Sequence, residues 1–292
     1  MKYVFNRVGI IGVGLLGGSL GLALKQRKIA RSVVGFGRNE SRLIRAKKKK
    51  AIDAFYLPED WQCGLHDVEI VVVCTPVRDI VPFIRRIVPW LPKGSIITDV
   101  GSTKESIVNQ IDIFLKKQSN TVSFIGSHPM AGSEQTGIEF AKSDLFKQAV
   151  CLITPSKYTE KSAINKVSRM WKMVGGNIIY LSPADHDRYV AAISHLPHII
   201  AANLVDTVAA LNKKDNLLFH LAAGGFKDTT RIASSSPDLW RDICLENKKS
   251  IIDVVQLFEK ELKAIKQAIS ASEAKQIHKV FNTAKQFRDQ IK

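Results

Sequence analysis

The sequence predicts a doubly wound, mostly parallel α/β sheet followed by an all-helical C-terminal domain. Three observations carry that prediction. In the first half, short Val- and Ile-rich runs alternate with amphipathic stretches of helical period. Those runs are apolar throughout, as strands are when helices cover both faces of a parallel sheet. Beyond Ser182 nearly everything has helical period, and glycine is scarce outside Gly224 and Gly225.

In chain order the strands are expected at residues 7–11, 32–36, 70–74, 95–99, 121–126 and 149–154. Helices are expected between them, at 16–27, 79–90 and 103–116. This βαβα succession gives a doubly wound sheet. A seventh apolar piece, 177–181, follows a helix at 159–174 and extends or edges the same sheet. The boundary is expected near residue 182, giving domains 1–182 and 183–292. Residues 186–211 read as one long helix, opened by the capping sequence Ser182-Pro183-Ala184-Asp185. A second helix starts at Ser236-Pro237 and runs to residue 270, and a last one starts at Ser272. No flexible linker or repeat intervenes, so the long helix itself is the expected hinge.

The 292 residues suffice for two domains, and 45% hydrophobic with 24% charged residues is the composition of a folded chain. The apolar N-terminal segment is punctuated by five glycines and lacks a small-residue cleavage site, so it is not read as a signal peptide. No apolar run reaches the ~18 residues needed to cross a bilayer. Cys63, Cys74, Cys151 and Cys244 form no C-x-x-C pair and no metal-ligand spacing. They are expected to be free, which suits a reducing cytoplasm. The net charge of +16 is spread along the chain. The one dense run, residues 45–50 (RAKKKK), falls at a helix C-terminus, where the dipole favours cations. With no DNA-binding motif, the charge is assigned to an anionic substrate and cofactor, not to nucleic acid.

Gly12-Val13-Gly14-Leu15-Leu16-Gly17 fits G-x-G-x-x-G, between an apolar strand and an apolar helix. Gly12 permits the tight turn, Gly14 lets a pyrophosphate approach, and Gly17 lets helix and strand pack closely. The N–H groups that follow, from Leu15 onward, offer a diphosphate partial positive charge. About twenty residues on, where an acid would bind the ribose of NAD, stand Gly37 and Arg38. Arg38 suits the 2′-phosphate of NADP or the adenine face. NAD and NADP both stay open. Thr75 and Pro76 end the third strand, and Ser102 and Thr103 follow the fourth, at strand ends where ligands bind. Ser102 or Thr103 also serves as a cap for the next helix.

Three further motifs carry chemistry. His128 sits in Gly126-Ser127-His128-Pro129-Met130-Ala131-Gly132-Ser133-Glu134, expected as a constrained loop after the fifth strand. Its near-neutral pKa suits proton acceptance from a hydroxyl as hydride leaves. His195 and His198 share a helix face around Pro197, which is expected to kink the helix. No third ligand accompanies them, so no metal is expected. Arg231 follows the glycine-rich break at Gly224 and suits a bidentate carboxylate clamp.

Together these motifs resemble the prephenate/arogenate dehydrogenases of tyrosine biosynthesis. The shared marks are G-x-G-x-x-G at 12–17, D-V-G-S-x-K at 99–104, G-x-H-P-M-A-G-x-E at 126–134, S-H-L-P-H at 194–198 and G-x-x-D-x-T-R-I-A at 225–233. The resemblance implies a Rossmann-type N-terminal domain, a helical dimerisation domain, and NAD(P)-dependent oxidative decarboxylation of a cyclohexadienol. It implies that His128 polarises the substrate hydroxyl and that Ser102 bonds to it. Arg231 and His198 would bind the carboxylate end, with Ser133 and Ser194 as further contacts. Glu134, Asp187, Arg231 and Trp240 would form a polar network at the site entrance. A homodimer through the C-terminal helices is expected, each site open to contributions from both chains. No mutase or regulatory domain is expected, so any tyrosine inhibition would act at the active site. Prephenate and arogenate are not separated by these residues. A β-hydroxyacid or imine reductase would place a lysine in residues 185–211, where none occurs. A non-catalytic dinucleotide sensor would not need His128, His198 and Arg231 together.

Overall fold

The computed structural model describes residues 3–118, 122–132, 135–211 and 217–291. The strands are β1 (Phe5–Ile11), β2 (Ala30–Phe36), β3 (Ala54–Tyr56), β4 (Ile70–Val73), β5 (Ile96–Asp99), β6 (Ser123–Pro129), β7 (Val150–Thr154) and β8 (Asn177–Tyr180). They form one sheet in the order β3-β2-β1-β4-β5-β6-β7-β8, parallel throughout except for β6 against β7. The chain leaves β1 toward one edge and β4 toward the other. The C-terminal ends of β1 and β4 therefore flank the crevice where such sheets bind ligands.

The helices of the first half are α1 (Leu15–Gln26), α2 (Glu40–Lys48), α3 (Trp61–Leu65), α4 (Val77–Ile87), α5 (Glu105–Leu115) and α6 (Lys161–Met173). Alternate strand residues feed two cores. Val8, Ile10, Val33, Ile70 and Val72 pack with α1, α2 and α6, while Ile11, Val34, Val71 and Val73 pack with α3, α4 and α5. This is why the strands read as unbroken apolar runs.

The second half holds α7 (Pro183–Val190), α8 (Leu196–Leu211), α9 (Leu217–Leu221), α10 (Gly224–Thr230), α11 (Pro237–Glu246), α12 (Lys248–Ser270) and α13 (Ala274–Arg288). It docks on the second core through Ala191, Ile243 and Ile251. Ser182 caps α7 by accepting the Asp185 N–H at 3.0 Å, with Pro183 at the first helical position. Among the described residues no helix is long and apolar enough to cross a membrane.

Several expectations are corrected. The helix expected over 186–211 is interrupted by a π turn, Ala191–His195. Pro197 lacks the N–H that would bond Ile193, and the wider turn absorbs that loss before α8 begins. The helix expected from Pro237 to residue 270 breaks at Asn247, whose backbone leaves the helical region (φ −106°, ψ 33°). Its side chain turns inward to Asp187 and His195. His128 lies within β6, not in a loop after it, because residues 126–129 pair antiparallel with 151–154. Neither Ser102 nor Thr103 caps α5, whose N-terminal cap is Lys104 with no side-chain bond of its own helix. The short β3 and α3 carry too little periodic pattern to be expected.

Candidate active site

The β1–α1 turn shapes a cleft. Gly12 holds φ +89°, and a Cβ there would lie 2.6 Å from the Cys74 carbonyl oxygen. A Cβ on Gly17 would lie 2.2 Å from the Gly12 carbonyl oxygen, so only glycine lets α1 start this close to β1. A Cβ on Gly14 would meet nothing within 4 Å: the backbone there faces open space. Gly14 caps α1 without a side-chain bond, and the first helical bond runs from the Gly18 N–H to the Gly14 oxygen. The N–H groups of Leu15, Leu16 and Gly17 precede it and head the helix dipole toward the cleft. A cavity of about 610 Å³ opens here, lined by Gly12, Gly14, Arg38, Thr75 and Pro76 among others. An open glycine turn, an uncapped helix N-terminus and a cavity of this size fit a dinucleotide diphosphate.

At the same end of the sheet a chain of polar groups is assembled from three elements. His128 Nδ1 lies 2.9 Å from His186 Nε2, and His186 Nδ1 lies 2.8 Å from Asp187 Oδ1. Asp187 also accepts the N–H of Lys104 at 2.7 Å and of Glu105 at 3.0 Å. A helix-seven carboxylate thus caps α5. With two backbone donors on it, Asp187 acts as an acceptor. His186 therefore carries its proton on Nδ1 and accepts on Nε2. His128 in turn donates from Nδ1, which leaves the lone pair on its Nε2. Burial, and then His186, Lys104 and His195, hold the His128 pKa well below the ordinary histidine range. Burial brings His186 to about 2, with Lys104 and His195 adding to the effect. Burial raises Asp187, while the Glu105 and Lys104 N–H groups pull it back.

A buried ion pair supports the chain from below. Lys104 and Asp99 have no exposed side-chain surface and are in direct contact. Asp99 also accepts the Gly101 N–H at 2.9 Å and the Ser127 N–H at 3.1 Å. Ser127 precedes His128, so this pair ties the end of β5 to the strand that carries the histidine.

A second polar and aromatic cluster comes from the helical half. His198 stacks on Trp240, with ring centroids 3.9 Å apart and planes 28° apart, and His195 meets the same indole edge-on at 5.9 Å. Asn247 Nδ2 lies 3.2 Å from His195 Nδ1 and donates to the Asp187 carbonyl at 2.8 Å. Burial lowers the His195 pKa to about 4. Burial also lowers His198, opposed by the Ile232 backbone and reinforced by the Arg231 charge. His198 Nδ1 and Trp240 Nε1 are buried without a hydrogen-bond partner among the described residues, while His195 faces the Ser102 backbone.

Of the residues singled out in the sequence, Gly12, Gly14, Arg38, Thr75 and Pro76 line the cavity, whereas His128, Ser102, His198 and Trp240 are not among its lining residues. Ser102 is half-buried just before Lys104, and Ser194 is half-buried in the π turn. Asp187 is 2% exposed and belongs to the interior, not to a site entrance. Trp240 stacks on His198, and its Nε1 makes no hydrogen bond among the described residues, so it does not join the expected polar network there. Ser133 and Glu134 lie outside the described residues. His186 and Asn247 fall outside the sequence motifs, and Lys104 enters only as the last position of D-V-G-S-x-K. His186 is flanked by Asp185, Asp187 and Arg188, so the segment reads as a solvated helix face. Among the described residues, no three His, Cys, Asp or Glu side chains group as a metal site.

The family model described as "Prephenate dehydrogenase, nucleotide-binding domain" matches residues 20–180, and "Prephenate dehydrogenase, dimerization domain" matches residues 182–283. The prephenate dehydrogenase of Bacillus subtilis is 34% identical over 290 residues, 99% of this chain and 77% of that one. The cyclohexadienyl dehydrogenase of Zymomonas mobilis is 32% identical over 99% of this chain and 97% of its own. A crystal structure of prephenate dehydrogenase from A. aeolicus, in complex with hydroxyphenyl propionate and NAD+, superposes with a TM-score of 0.91 at 32% identity, covering 98% of each chain. With both halves matched and the fold shared, the chain belongs to the prephenate dehydrogenase family.

Proposed function

We propose that the chain oxidises and decarboxylates prephenate to 4-hydroxyphenylpyruvate with NAD or NADP. The observation that carries this reading is the chain His128–His186–Asp187. It leaves a ring nitrogen free at the C-terminal end of β6, the same end of the sheet at which the β1–α1 turn opens its cleft. When bound in that cleft, the oxidised dinucleotide supplies the hydride acceptor. His128 Nε2 takes the proton of the ring hydroxyl as hydride leaves the carbon that bears it. The ring carboxylate then departs as CO2, its bonding electrons restore aromaticity, and the developing phenolate recovers the proton from His128. No net proton is consumed or released. Ser102 orients the hydroxyl, and Ser194 makes a further contact; Ser133, expected in the same role, lies outside the described residues. Arg231 and His198 bind the side-chain carboxylate, with Trp240 holding the His198 ring flat.

On this reading Gly12, Gly14, Leu15, Leu16, Gly17, Arg38, Thr75 and Pro76 hold the dinucleotide. The division of labour falls near residue 182, in keeping with the two family matches. A homodimer through the helical half is supported by exposed large apolar side chains such as Leu257, Leu262, Ile269, Phe281 and Phe287. Four free cysteines fit a reducing cytoplasm.

The test is absorbance at 340 nm over the four pairings of prephenate or arogenate with NAD or NADP. A signal with prephenate, with equal CO2 and 4-hydroxyphenylpyruvate, is expected. A signal with arogenate alone reassigns the substrate, and silence in all four rejects the reaction.

A further inference from the structure

Which dinucleotide the cleft takes depends on what meets the ribose 2′ position, beyond the end of β2 in a sheet of this order. A site for the unphosphorylated ribose sets a carboxylate there, to accept from its hydroxyls. Here β2 ends at Phe36, and Gly37, Arg38 and Asn39 follow. The Asn39 side chain is already used: its oxygen accepts the Arg42 N–H at 2.9 Å and caps α2.

What lines this wall is cationic. Arg38, Arg42 and Arg45 all border the cavity, the last two a turn apart on one face of α2. The carboxylate on the same wall, Glu139, is paired with Arg45 at 3.1 Å. Lys49 donates to the backbone oxygens of Ile138 and Glu139, placing another cation behind it. The carboxylate is thus answered, and no ion pair engages the guanidinium of Arg38 or Arg42 among the described residues.

Resting on the dinucleotide reading of this cleft, we propose that Arg38 and Arg42 form a 2′-phosphate clamp, so that the chain prefers NADP to NAD. Two guanidinium forks match the oxygens of a phosphate dianion. The free hydroxyls of NAD would meet guanidinium donors there, with Glu139, the carboxylate of that wall, already paired to Arg45.

The test is isothermal titration of the intact protein with two probes, 2′-phospho-ADP-ribose and ADP-ribose, at one low salt concentration. We expect the phosphorylated probe to bind at least about tenfold tighter, the effect of one charge-assisted contact. Replacing both arginines (Arg38→Ala with Arg42→Ala) should bring the ratio of the two affinities close to one. Gly37→Asp should reverse it. The aspartate fits, because a Cβ at Gly37 would sit 3.4–3.6 Å from Leu43, in ordinary contact. Equal binding of the two probes, tighter binding of ADP-ribose, or a ratio unmoved in the double variant overturns the clamp while leaving the dinucleotide cleft intact. Binding of neither probe overturns the cleft and the clamp together.

Discussion

His128 Nδ1 and His186 Nε2 lie 2.9 Å apart, and this contact decides which nitrogen of His128 is free to act as a base. Replacing His186 by phenylalanine removes the acceptor and leaves the tautomer unset. The expected result is a loss in kcat of about tenfold or more, part of the 10²–10⁴ that a positioned base provides, with KM little changed. Asparagine at 186 keeps an acceptor and should recover part of the loss. Equal rates for wild type and both variants would show that the contact is structural only.

The same burial makes stability depend on pH. His186 and His195 titrate near 2 and 4 in the folded chain, against 6.5 when unconstrained. Between those values the unfolded chain binds more protons than the folded one. The stability is fully present above pH 6.5 and is lost as pH falls from there, toward 4 for His195 and on toward 2 for His186. Denaturant midpoints measured from pH 7.5 to 4.5 should decline through this window, and less steeply in His195→Asn. A midpoint that rises as pH falls would contradict the burial described.

Lys104 and Asp99 face each other without solvent. Lys104→Met leaves the Asp99 carboxylate buried with no countercharge, and removing one partner of such a pair typically costs about 3–5 kcal/mol. Urea unfolding should show a loss of that order. A loss below about 1 kcal/mol would mean that the ion pair does not hold β5 to β6.

Arg231→Ala should act on binding, not on turnover. A charge-assisted contact of about 1.5–3 kcal/mol corresponds to a KM rise of roughly 10- to 100-fold. Trp240→Ala removes the face on which His198 rests and should move KM in the same direction. Steady-state kinetics showing kcat falling with KM fixed would remove Arg231 from the carboxylate end.

The parts of the site that were legible in the sequence are those written locally. The glycines at 12, 14 and 17 announce themselves because turn, approach and packing each forbid a side chain within a few residues of one another. The parts that were not legible depend on distant partners. Residues 126–129 look like a loop, Gly-Ser-His-Pro, until β7 arrives to pair with them. His186 looks solvated until α7 docks on α5. The break at Asn247 interrupts an apolar stripe that continues on both sides, and what makes it a break is a pair of contacts to Asp187 and His195. In all three cases the partners lie far along the chain, beyond the reach of any periodicity.

The most direct test of the account is the turnover of His128→Asn in the substrate and dinucleotide pairing that the wild-type protein uses. Asparagine fills similar space and cannot carry the proton. The account predicts a fall in kcat of at least about 10², with KM within a few-fold of wild type. A kcat within threefold of wild type would contradict it, and the base would have to be sought elsewhere in the cleft.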